Sequence, residues 1–143
     1  MEWTTTSLLE VALRAAALTQ FGIAALNLSL VRVMKWEPDL DRMPLLINEV
    51  FRVHVVFITL SVATFAVLTW RFGSEMARGA DTLACWLAAA IGIFWAARTI
   101  MQWTHYSPSH WRGRAGRTGI HWLLFVGYGA LGAVYLAAAF LPR

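Results

Sequence analysis

The sequence predicts an all-α integral membrane protein, an antiparallel bundle of four transmembrane helices. Four apolar stretches are spaced along the chain, each near the ~20 residues that a helix needs to cross a bilayer. Charged residues make up 14% and hydrophobic residues 59%. A soluble domain usually carries about 25% charged residues, so this chain is short of polar surface and rich in surface that suits lipid. The stretches are also too long for strands and do not alternate apolar with polar. All 143 residues then belong to a single four-span domain.

The first span covers about residues 8–33, with an uncharged centre from 15 to 31. Glu10 and Arg14, four apart, read as an ion pair at its edge. Gln20 and Asn27, seven apart, share one face. The connection from Lys35 to Pro44 contains WEPDLDRMP. Its two prolines and its acidic residues suit a loop or a short surface helix. The second span covers about 45–70 and is cleanest from Val55 onward. Residues 71–81, with Gly73 and Gly79, read as a short connection. The third span covers about 82–104. The segment 105–118, HYSPSHWRGRAGRT, holds a proline, two glycines and three arginines and is the most distinctive connection. The fourth span covers about 119–141. Gly92 with Ala96, and Gly129 with Ala133 and Ala137, repeat at four and predict close helix packing.

The single cysteine, Cys85, lies within an apolar run. It excludes a disulfide framework within the chain and a thiolate metal site. A cleaved signal peptide is not expected, because Glu2 stands where a basic region would begin and no small-residue cleavage site follows. There is no nucleotide loop and no nucleophile motif.

The formal charge is +4, and eleven of the twelve basic residues are arginine. These arginines sit between apolar spans, where membrane proteins keep their loop charges, so nucleic acid is not an expected partner and membrane lipid is. Four spans place both termini on one side. The opposite side carries Arg32, Lys35, Arg42, Arg52, Arg98, Arg112, Arg114 and Arg117, eight basic residues against four at Arg14, Arg71, Arg78 and Arg143. The positive-inside rule then puts the first and third connections in the cytoplasm and both termini outside a cytoplasmic (inner) membrane. Tryptophans mark the boundaries: Trp3, Trp70 and Trp86 at the outer edge, and Trp36, Trp103, Trp111 and Trp122 at the inner edge.

A polar cluster gathers at the inner level. With a rise of 1.5 Å per residue, His54 lies ~24 Å from Trp70, and Glu49 ~31 Å. Arg98 lies ~24 Å from Thr82, and His105 ~34 Å. His121 lies ~30 Å from Leu141, and Asn27 ~28 Å from Leu8. Arg98, Gln102 and His105 share a helix face at i, i+4, i+7, as do His121, Tyr128 and Tyr135 at sevenfold spacing. Glu49 is expected to pair with Arg52 or Arg98, because an uncompensated charge in a span costs several kcal/mol. His54 stands about 140° around the helix from Glu49. The candidate ligand pocket is therefore Asn27, Glu49, Arg52, His54, Arg98, Gln102, His105 and His121.

Imidazoles are the commonest metal ligands near neutral pH, so His54, His105, His110 and His121 form a candidate metal set. With Glu49 they would suit Zn, Cu or non-haem Fe, and two facing histidines would suit haem. The set matches no known ligand spacing, and Pro108 interrupts the run from His105 to His110. A plainer account makes these histidines ordinary interface residues and lets the arginines snorkel to headgroups. Three functional classes follow: a protein with a polar, histidine-rich pocket for a metal, haem, quinone or polar ligand; a non-catalytic accessory or assembly subunit of a larger membrane complex; and a small lipid- or solute-binding transporter. Whether the chain is an enzyme stays open.

Overall fold

A computed structural model describes residues 4–33, 35–105 and 115–141. The protein is all-α: helices α1 (Thr5–Val33), α2 (Glu37–Leu40), α3 (Leu45–Arg78), α4 (Thr82–Thr104) and α5 (Ala115–Phe140) follow in order, with no strand among the described residues. Four segments are long and apolar enough to cross a membrane: Thr5–Val33, Leu45–Arg78, Thr82–Thr104 and Thr118–Phe140. The chain is thus a multi-pass membrane protein. Many large apolar side chains stand exposed along these helices, among them Leu28, Phe57, Leu83 and Leu123, which is the surface expected where the solvent is lipid.

The chain divides into two compact units, one made of Met1–Leu13 with Phe72–Arg143, the other of Arg14–Arg71. In the first, α4 and α5 run antiparallel. Trp95 meets Tyr128, and Gln102 meets His121, so residue numbers rise on one helix as they fall on the other. In the second unit α1 and α3 are likewise antiparallel. Arg14 lies over the Trp70 ring at 5.9 Å, while Leu28 and Arg32 line a common cavity with Arg52 and Val56.

Helix ends follow local chemistry. α1 stops where Lys35 takes φ 54, with Lys35 N–H donating to Arg32 O and Trp36 N–H to Val31 O. α3 stops in the same way at Gly79, φ 58, with Gly79 N–H donating to Met76 O and Ala80 N–H to Glu75 O. Both pairs of bonds form the Schellman closure, which needs a left-handed residue. Glycine meets that need without strain, and lysine at a cost of about 1 kcal/mol. α2 is the short helix foreseen in the first connection; the Asn48 amide donates to its Leu40 carbonyl at 2.9 Å and ties it to α3. α4 begins at Asp81, whose carboxylate accepts from Ala84 N–H at 2.7 Å and so fills one of the orphan donors of a helix N-terminus.

Two expectations need correction. The stretch 71–81 is not mainly a connection, because α3 runs on to Arg78 and buries Met76 and Ala77 completely. The small-residue stripe is right on α4, where Gly92 and Ala96 meet α5, and only in part on α5, where Gly129 faces Thr99. Ala133 is exposed, and it is Gly132 that α5 brings close to α4, where a Cβ would lie 3.2 Å from Ala96 N. Across from it, a Cβ at Gly92 would lie 2.9 Å from Leu136 Cδ2 and 3.1 Å from Leu136 N. Without a hydrophobic drive between helices in lipid, such backbone proximity is what holds a pair together.

Candidate functional site

The polar residues near the loop end of α4 and α5 form the most developed site. Trp95, fully within the protein, stacks on Tyr128 with ring centroids 5.2 Å apart. One turn further along α4, the Arg98 guanidinium lies 5.0 Å from the centre of the Tyr128 ring, within the ~6 Å of a cation–π contact. A further turn brings Gln102, only 2% exposed, whose Nε2 is 3.0 Å from His121 Nδ1. Past these, Trp103, Trp122 and Phe125 form an aromatic cluster with centroids 5.6 to 6.0 Å apart.

The Gln102 amide is half satisfied. Nε2 donates to His121 Nδ1, which makes that nitrogen the acceptor and puts the imidazole hydrogen on Nε2 of the ring. Oε1 is buried and has no hydrogen-bond partner. Turning the amide by 180° exchanges the roles: the imidazole donates from Nδ1, and the amide nitrogen takes the unmatched position. Either way one end of a buried amide lacks a partner, at a cost of about 1–3 kcal/mol.

The shared face of Arg98, Gln102 and His105 is realised unevenly. Arg98 is half-buried and Gln102 buried, but His105 is exposed where α4 ends. Its Nδ1 lies 3.0 Å from Thr104 Oγ1, whose one hydrogen goes to the Ile100 carbonyl. Nδ1 is therefore the donor. The stripe His121, Tyr128, Tyr135 holds, with both tyrosines buried and His121 half-buried.

The remaining candidates belong to the other unit. Asn27 is half-buried; Glu49, Arg52 and His54 are exposed. The expected pairing of Glu49 with Arg52 is not found: Arg52 Nε donates to Asn48 Oδ1 at 2.7 Å, and among the described residues no ion pair joins Glu49 to Arg52. Asn48 stands one full turn before Arg52 on the same helix side, where Glu49 is turned further round. That i, i+4 spacing was readable in the sequence, and the charge-first reading passed over it. Gln20 is fully buried and donates to its own helix at the Ala16 carbonyl, 3.3 Å away.

Among the described residues no group of three or more His, Cys, Asp or Glu side chains is placed to hold a metal ion. His110, and with it part of the proposed metal set, lies outside the described residues. No protein-family model, no curated protein and no solved structure matches the chain.

Proposed function

We propose that this membrane protein binds a lipid-soluble ring bearing a hydroxyl, the quinol class, at the loop end of the α4–α5 hairpin. The observation that carries the reading is the half-satisfied, buried Gln102 amide beside His121. A ring hydroxyl supplies the hydrogen that Oε1 lacks. The flat apolar ring suits neighbours that are themselves aromatic, Tyr128, Trp103 and Trp122. His121 supplies an imidazole whose ring nitrogen already bonds the same amide. Arg98, held over Tyr128, adds positive charge that favours an electron-rich oxygen. Oε1 is buried, so the ring enters by displacing side chains packed around Gln102. By the positive-inside bias the site faces the cytoplasmic leaflet. His54, Asn27, Glu49 and Arg52 play no part in this reading, and of the candidate metal set only His121 does.

The test is titration of the purified full chain in detergent with a short-chain quinol, read by tryptophan fluorescence. Binding is expected, and Gln102→Leu is expected to weaken it about tenfold, the worth of one hydrogen bond in a dry site. Equal affinity for the two proteins, or no binding to either, overturns the reading. An absorption spectrum and metal analysis of the same sample give the alternatives their chance: a Soret band or a stoichiometric metal would favour haem or metal. Stable co-purification with other chains, without quinol binding, would favour an accessory subunit.

A further inference from the structure

A second site lies in the unit formed by Arg14–Arg71 and shares no residue with the proposed quinol site. Between the end of α1 and the start of α3 is a cavity of about 390 Å³, lined by Leu28, Val55 and Val56 on its apolar part and by Arg32, Arg52 and Glu37 on its polar part. Its chemistry changes along the helix axis. Arg32 stands in the last turn of α1, and Leu28 one turn, ~6 Å, further into the span. Arg52 and Val56 repeat the same step on α3, again ~6 Å. Both helices therefore present a guanidinium at the rim and an aliphatic side chain one turn deeper.

The rim is not neutralised from within. Two guanidiniums face one carboxylate across the lining, and among the described residues no ion pair joins Glu37 to Arg32 or Arg52. Asn48 accepts from Arg52 Nε at 2.7 Å. That bond orients the guanidinium plane and leaves its two terminal nitrogens, the pair that grips phosphate in bidentate fashion.

We propose that this cavity is a binding site for an anionic phospholipid. The phosphate sits between Arg32 and Arg52, and the first methylenes of an acyl chain lie against Leu28, Val55 and Val56. The cavity takes the headgroup end alone, and the rest of the chain stays in the bilayer. Charge selects an anionic lipid over a zwitterionic one, because Glu37 already supplies one negative group and leaves a net positive rim.

The experiment uses the full chain purified in detergent and titrated separately with phosphatidylglycerol, phosphatidylcholine and inorganic phosphate, with bound lipid read by native mass spectrometry and Tm in parallel. Phosphatidylglycerol is expected to bind and to raise Tm, and the other two to do neither. Arg32→Gln and Arg52→Gln are each expected to weaken phosphatidylglycerol binding about fivefold, the effect of one basic side chain near an anionic surface. Arg32→Lys, which keeps the charge, should retain most of it. Arg42→Gln, a change to an exposed arginine of the same connection outside the cavity, should leave it unchanged. Equal binding of phosphatidylcholine, an equal Tm shift with inorganic phosphate, or equal loss in Arg42→Gln and Arg32→Gln overturns the proposal. None of these variants touches Gln102 or His121, so this proposal and the quinol reading stand or fall separately.

Discussion

In the proposed quinol site, Gln102 would be worth more to recognition than to folding. Replacing both members of a buried polar pair by apolar groups is often near neutral, whereas stranding one member costs the full desolvation penalty. Gln102→Leu removes the unmatched oxygen along with the bond to His121, so its stability is expected within about 1 kcal/mol of the parent. His121→Ala leaves the whole amide buried without its partner and should cost about 2 kcal/mol. Denaturation of the two variants side by side checks the order; a larger loss for Gln102→Leu would mean that the amide is better satisfied than its geometry indicates. Glu49 gives the opposite lesson. Depth along the helix says nothing about which neighbour holds an arginine, and Asn48 does so. Glu49→Gln and Glu37→Gln, both at exposed carboxylates, should therefore melt together, and a clear gap between their Tm values would restore the ion pair.

The helices were legible from composition and length, and their ends only where a residue type announces itself. The Asp81 carboxylate caps α4; Asp81→Ala should cost about 1 kcal/mol in thermal unfolding. Gly79 reads as a stop, but Lys35 does not, because only the backbone shows that it adopts the same left-handed geometry. Lys35→Gly is expected to raise stability by about 1 kcal/mol and Gly79→Ala to lower it by a similar amount. Opposite signs in the same melting experiment would confirm the shared closure, and a destabilising Lys35→Gly would refute it. The extension of α3 to Arg78 escaped the sequence reading because its Arg71, Glu75 and Arg78 look like loop charges, while the burial of Met76 and Ala77 that holds the turn depends on three-dimensional neighbours. On α5 a repeat at four pointed to Ala133, but only the facing helix decides which small residue is used, and it is Gly132 that meets Ala96.

For the whole molecule, the membrane-spanning character follows from four apolar helices, and the expected orientation rests on charge alone. The eight-to-four basic asymmetry predicts that a reporter enzyme fused after Arg143 is active only if it works in the periplasm; activity from a strictly cytoplasmic reporter would invert the topology. The candidate site was half visible beforehand. Gln102, His121 and Arg98 were placed by depth and phase on α4 and α5, whereas the unmet oxygen depends on rotamers that no spacing encodes.

The contact between Gly92 and Leu136 has a consequence for a place it does not touch. A smooth pair of helices in lipid is free to slide, since every register exposes much the same greasy surface. Here a notch on one helix receives a tooth from the other and arrests that slippage. Gln102 stands ten residues, ~15 Å, along α4 from the notch. A slip of a single turn would part it from His121 by ~5 Å and dissolve the site while leaving every helix intact. Filling the notch by Gly92→Leu should accordingly read out at a distance, as lost quinol affinity with unchanged helical content.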